Sequence, residues 1–154
     1  MTERPEDKLV IYRRRMPHWR LVGSVYFVTW RLQKTQRELC PNEREVIVAA
    51  LKHFDGQRYE LIGYVVMPDH IHILVKPLEK YPLEGLVHSW KSYTAYRLQR
   101  TYARQGRIWQ EEYFDRIIRD EKEFLEKAQY ILNNPMKIQP LIEEYPWVWV
   151  KMEP

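Results

Sequence analysis

The run VMPDHIHILVKP (66–77) carries two histidines, His70 and His72, two positions apart in a segment that otherwise reads as a strand. Side chains alternate along a strand, so His70, His72 and Leu74 share one face, while Ile71, Ile73 and Val75 share the other. Two imidazoles on one face can reach a single divalent ion if a third ligand and water or substrate complete its shell. An H-x-H pair by itself also suits two satisfied surface or half-buried histidines, so chemistry here requires a partner elsewhere in the chain.

A partner is found near the C-terminus. Drawn as a helical wheel, the segment after Asp120 places Phe124, Leu125, Ala128, Ile131 and Leu132 in one apolar stripe. Tyr130 falls nearly opposite, with Glu123, Lys127 and Asn134, so it does not fill its own helix's core. Asn134 lies one turn beyond Tyr130, where its amide oxygen is a candidate third ligand for an ion held by the histidines. Lys127 is placed to meet a phosphate. An exposed or interface tyrosine is the alternative at position 130.

The chain must fold so as to bring these residues together. Its 154 residues fit one domain, 1–154, opening with a charged arm over 1–17. The sequence has no apolar run long enough for a membrane span, and its first residues are too charged for a signal peptide, which predicts a cytoplasmic protein without a membrane partner. A lone cysteine, Cys40, excludes an internal disulfide and a cysteine-rich zinc site. The net charge is only +4, but it is unevenly spread. Residues 85–110 hold Lys91, Arg97, Arg100, Arg104 and Arg107 with no acidic residue, interleaved with Trp90, Tyr93, Tyr96, Tyr102 and Trp109. Arg13, Arg14, Arg15 and Arg20 form a second cluster beside His18 and Trp19. Cations interleaved with rings suit a nucleic-acid strand; a solvated helix face over buried aromatics is the other reading.

Local patterns predict a strand over 24–32, a helix from Pro41 through about Phe54, a strand over 58–67, and a turn at Pro68-Asp69 into a strand over 70–76. A long helix follows Pro82 to about Arg104, then a short strand around 113–118. The last helix is capped at Asp120, with Glu123 as the acidic partner, and stops at Asn134 because Pro135 disfavours helical geometry before it. The order β-α-β-β-α-β-α predicts an α+β fold: a ferredoxin-like antiparallel sheet, βαββαβ, with an additional C-terminal helix. Its first two helices cover the isoleucine face, leaving the histidines on the open side.

With these motifs in order, the chain resembles the single-tyrosine HUH transposases, most closely the REP-associated tyrosine transposases. The resemblance rests on MPHWRLVGSVYFVTWRL, YVVMPDHIHILVKP, IWQEEYFDRIIRDEKEFLEKAQYILNNP and EEYPW. It implies a ferredoxin-like nuclease core in which His70 and His72 bind Mg²⁺ or Mn²⁺ and Tyr130 is the nucleophile. Insertion-sequence relatives carry a glutamine metal ligand four residues after the tyrosine; this chain has Asn134. The implied substrate is single-stranded DNA beside a REP-type hairpin, cut and rejoined through a 5′-phosphotyrosine, by a monomer or a homodimer. Arg97, Arg100 and Arg104, sharing a face with Tyr93 and joined by Lys91, are candidates for DNA contacts, as are Arg13, Arg14, Arg15, His18 and Trp19, and Lys127. Tyr113 is the competing nucleophile. A non-catalytic binding regulator of the same fold and a metal-dependent phosphodiesterase using water are the rival functions.

Overall fold

A computed structural model describes residues 24–138 and 144–151 of the chain. In it, the β-branched and aromatic runs form strands β1 (Tyr26–Arg31), β2 (Tyr59–Val66) and β3 (His70–Pro77), with a short β4 (Phe114–Ile117). Helices α1 (Pro41–His53), α2 (Leu83–Tyr102) and α3 (Glu121–Asn133) alternate with them as expected, and a further strand β5 (Val148–Val150) ends the described chain. The sheet is antiparallel throughout, in the order β4-β1-β3-β2-β5. Its first four strands have the ferredoxin-like arrangement, with β3 central. β5, absent from the sequence reading, pairs with the β2 edge, where Gly63 makes room: a Cβ there would stand 3.2 Å from the Trp149 carbonyl oxygen.

Each face of the sheet carries its own core. Val28 and Trp30 of β1, Leu61, Tyr64 and Val66 of β2, and Ile71, Ile73 and Val75 of β3 pack against Ile47, Val48 and Leu51 of α1 and Leu86, Val87, Trp90 and Leu98 of α2. The opposite face sets Phe27, Val65 and Leu74 against Phe124, Ala128, Ile131 and Leu132 of α3. Each such side chain contributes about 1.5–3 kcal/mol on full burial, so the apolar stripe of α3 is ample reason for that helix to lie on the sheet. The histidine face is therefore not open, as the two-helix pattern had suggested. α3 covers it.

Two helix ends depart from the local reading. α2 stops at Tyr102 through Ala103, which takes a left-handed conformation (φ 55°) and turns the chain so that Arg104 points inward. α3 ends at Asn133 with Asn134 as its cap, within a residue of the stop that Pro135 predicts, but the chain does not turn away there: Asn134 keeps helical angles (φ −55°, ψ −44°), and Asn134–Lys137 adds one 3₁₀ turn with Pro135 at its start, where a missing N–H costs nothing.

Candidate active site

The site begins with strand register. Pairing of β1 with β3 sets Thr29 opposite His72 and Arg31 opposite His70. Thr29 Oγ1 lies 2.7 Å from His72 Nδ1, and the Asp69 carboxylate accepts from His70 Nδ1 at 2.7 Å. Both Nδ1 atoms are thus engaged, which leaves His72 Nε2 without a partner and His70 Nε2 facing Asn134. The two rings stand 4.8 Å apart. His72 is buried, 3% exposed, and stacks on Phe27 at 5.3 Å.

α3 supplies the rest. Asp120 caps it by accepting from the Glu123 amide at 2.8 Å, as the sequence suggested, while the Glu123 carboxylate turns to Arg116 at 2.6 Å rather than back to the cap. With the apolar stripe seated on the sheet, Tyr130 comes to the rim of the buried layer. It is 39% exposed, its ring 5.0 Å edge-on from His72 and 6.0 Å from Phe27. One turn on, Asn134 is fully buried: its amide nitrogen donates to the Tyr130 carbonyl at 3.3 Å, which turns its oxygen toward His70 Nε2, also at 3.3 Å. The tyrosine therefore stands beside the histidine pair of its own chain.

The donor set fits a divalent cation. His72 Nε2 is buried without a hydrogen-bond partner, an orphan that an ion would satisfy. Burial, then the charges of His70, Lys137, Arg31 and Lys127, lower the His72 pKa to about 3, which keeps the imidazole in the neutral form that ligates. No cluster of three His, Cys, Asp or Glu side chains with metal-binding geometry exists among the described residues; the further oxygen that faces the pair is the Asn134 amide. Three cations surround this cluster. Arg31 flanks His70 across the register, Lys127 sits 4.9 Å above the Phe27 ring, and Lys137 Nζ hydrogen-bonds Tyr130 Oη at 2.9 Å. The Lys137 bond lowers the tyrosine pKa against the opposing effect of burial, with help from Asn134. A cradle of two imidazoles and one amide beside a phenol and under three cations is a constellation for phosphate-ester chemistry.

A sequence profile described as "Transposase IS200 like" matches residues 25–134. The chain belongs to the IS200-like transposase family. This transposase is 26% identical over 126 residues to a Haemophilus influenzae protein assigned as a REP-associated tyrosine transposase, covering 75% of this chain and 72% of the relative. Its fold is shared with a REP-associated tyrosine transposase bound to a REP hairpin (TM-score 0.67, 21% identity, 82% of this chain and 76% of the other). A Deinococcus radiodurans protein described as a transposase has the same fold (TM-score 0.56, 22% identity, 73% and 92%). Among the described residues of the transposase, no helix is long and apolar enough to cross a membrane.

His70, His72, Tyr130, Asn134 and Lys127, drawn from two distant sequence segments, meet in one place. The basic stripe of α2 does not join them. α2 packs on the isoleucine face, so Tyr93, Arg97 and Arg100 lie in the layer across the sheet from the histidines. There Arg97 donates to Tyr93 Oη at 2.9 Å, and Arg100 sits 5.6 Å over Tyr96, both pairs exposed. Arg104 is corrected outright as a DNA contact. It is 6% exposed, and its guanidinium makes five hydrogen bonds, to both carboxylate oxygens of Glu43, to Gln36, and to the carbonyls of Arg37 and Glu38. Lys91 is likewise occupied, donating to the Gln110 and Glu111 carbonyls at 2.8 and 2.9 Å and so tying their loop to α2. Tyr113 packs against the α1/α2 core, away from the pair. Arg13, Arg14, Arg15, His18 and Trp19 lie outside the described residues. Sequence reasoning missed Thr29, Asp69, Arg31 and Lys137. Lys137 alone left a readable trace, standing seven positions, about two helical turns, after Tyr130.

Proposed function

We propose that the chain cuts and rejoins single-stranded DNA beside a REP-type hairpin, with Tyr130 as nucleophile and Mg²⁺ or Mn²⁺ held by His70, His72 and Asn134. The observation that carries this reading is the phenol standing edge-on to His72, on a helix packed against its own sheet. That geometry lets one chain supply both the tyrosine and the imidazoles. The hairpin complex of the structural relative supports the choice of substrate.

In this reading the scissile phosphate lies over His70 and His72, and its charge is met by Arg31 and Lys127. When bound, the cation acts as a Lewis acid on a phosphate oxygen. Thr29 and Asp69 hold the two imidazoles in the ligating tautomer. Tyr130 Oη attacks phosphorus in line; the Oη–P bond forms as the P–O3′ bond breaks, giving a 5′-phosphotyrosine and a free 3′-hydroxyl. One phosphodiester replaces another, so the step is reversible without ATP. A duplex would keep the phosphate away from a phenol set at the rim of a packed layer, which favours a single strand.

The test is a denaturing gel with a hairpin oligonucleotide bearing a single-stranded flank, labelled at its 3′ end and incubated with Mn²⁺. A protein-linked band that Tyr130→Phe abolishes and Tyr113→Phe retains is the expected result. Released fragments with no linked band would mean attack by water, and uncut DNA would mean binding alone.

A further inference from the structure

We propose that Lys137 is a catalytic residue of this transposase: its ammonium meets the oxygen of Tyr130 when that oxygen attacks phosphorus and again when it departs. The proposal rests on Tyr130 being the nucleophile. Its basis is geometric. Lys137 Nζ lies 2.9 Å from Tyr130 Oη and 4.1 Å from the centroid of the same ring, so the ammonium is held both by the phenol oxygen and by the ring's π face. The other cations of the site contact different groups or act at longer range: Lys127 covers Phe27, and Arg31 is paired across β1 and β3 with His70.

The backbone explains how the lysine reaches this position. A helix ending at Asn134 would let the chain leave the site, whereas the 3₁₀ turn over Asn134–Lys137 carries it one further turn along α3. Asn134 and Pro135 are buried and anchor that turn, so Lys137 is fixed at its base while its side chain runs back along the face that bears Tyr130.

The chemistry is the same in both directions. In cleavage the phenol gives up its proton to solvent water, the Oη–P bond forms, and the electron pair of the P–O3′ bond leaves with O3′, which takes a proton from water. In joining, a 3′-hydroxyl loses its proton to water as it attacks the phosphorus of the phosphotyrosine, and the electron pair of the P–Oη bond returns to Oη, which is then reprotonated from water. Charge gathers on Oη just before the first bond forms and just after the last one breaks. A fixed ammonium donating to that oxygen lowers both barriers while keeping its own proton, which is the action of an oxyanion-binding donor. Once Oη is esterified its charge is gone, and the ammonium is free to move to a non-bridging phosphate oxygen.

Single-turnover adduct formation under saturating DNA, and rejoining of the isolated adduct with a free 3′-hydroxyl strand, test this in Lys137→Met, Lys137→Arg and Tyr130→Phe. Because the lysine is exposed, Lys137→Met is expected to slow both steps by about 10- to 100-fold, at or below the least that a water-excluded donor of this kind supplies. Hairpin affinity by fluorescence anisotropy and the melting temperature should stay close to wild type, and Lys137→Arg should restore most of both rates. Wild-type rates in Lys137→Met, a loss confined to DNA affinity, or failure of arginine to rescue would each overturn the proposal. An adduct that survives in Tyr130→Phe would instead bring down the nucleophile assignment itself; an adduct lost there, with Lys137→Met at full rate, would bring down only the lysine.

Discussion

The two faces of the sheet are built from the same strands and differ in what they bury. Under α1 and α2 the buried charges are fully paired, and the one buried side-chain polar atom left without a partner among the described residues there is the Trp30 indole nitrogen, a donor that can ligate nothing. Glu43 is wholly buried, yet it accepts from Arg104, Arg37 and the Cys40 amide, and Arg104 satisfies all its donors. Under α3 the burial is incomplete in a particular way: His72 is as deep as the core residues around it but keeps one nitrogen without a partner, and Tyr130 at the rim keeps 39% of its surface in water. A satisfied face supplies stability. A face that leaves the lone pair of a buried imidazole unmet, beside an accessible phenol, is arranged for a ligand and a reaction. The contrast can be broken by substitutions whose effects should fall on one face and spare the other.

The largest effect is expected at Tyr130. Tyr130→Phe removes only a partly exposed hydroxyl, so the melting temperature should hardly change, while adduct formation falls by on the order of 10⁴-fold or more, as when other covalent nucleophiles are deleted. Gel quantification of the adduct beside a thermal melt checks both halves. A variant that melts early would place Tyr130 in the structural class instead.

Next comes the buried pair on the other face. Arg104→Met strands a buried carboxylate and should cost about 3–5 kcal/mol in denaturant unfolding, while leaving adduct chemistry intact at temperatures where the variant is folded. Its pH dependence gives a sharper test. In the wild-type chain burial pushes the Glu43 carboxyl up, but hydrogen bonds from Arg104 and Cys40 outweigh it and hold the pKa at about 2, against 4.5 when unfolded. That contribution to stability is complete above about pH 4.5 and is lost as pH falls toward 2. Without Arg104, burial dominates, the folded pKa rises above the unfolded one, and this contribution should fall, rather than rise, as pH climbs through 4.5.

The same pair shows where sequence reading ended. Strand alternation separated Ile71, Ile73 and Val75 from His70 and His72 correctly, and the wheel of α3 put Tyr130 opposite its apolar stripe, because both are local periodicities. Arg104 looked like one more cation in a basic run; that it turns inward depends on Ala103 ending α2 in a left-handed turn and on Glu43, sixty-one positions earlier. Which face α3 covers was hidden for the same reason: its stripe announces that something is buried, not against what. Lys137 was lost to a sound local rule, since residues before proline seldom stay helical, and here the buried Asn134 does. Thr29 and Asp69 could not be found without register, because their role is defined by which histidine each one faces.

A smaller effect on the site face itself is expected at Thr29. Thr29→Val keeps the shape but removes the Oγ1 that fixes His72 Nδ1 at 2.7 Å. Loss of such a ligand-orienting partner typically lowers metal affinity or activity by about 10- to 100-fold. Titrating Mn²⁺ against adduct formation should show a rightward shift that Thr29→Ser corrects. No shift would mean that His72 is held by its stacking on Phe27 alone.

The smallest effect should come from the exposed pairs of α2. Arg97 and Arg100 lie in the layer opposite the histidines, each laid over a tyrosine four positions before it. Cations there can hold phosphates of a hairpin that reaches around the sheet edge, but they cannot touch the scissile one. Arg97→Gln with Arg100→Gln should therefore weaken hairpin binding and reduce the salt dependence of log K by about one unit per lost phosphate contact. At saturating DNA the cleavage rate should stay unchanged, since the reacting groups sit on the other side of β3. A slower saturated rate would mean that the two faces are coupled through the DNA, so that grip on one side sets the position of the phosphate on the other. An unchanged salt slope would leave the arginine–tyrosine pairs as surface structure and move the search for the hairpin's footing to Arg31, Lys127 and the neighbouring β1–α1 loop.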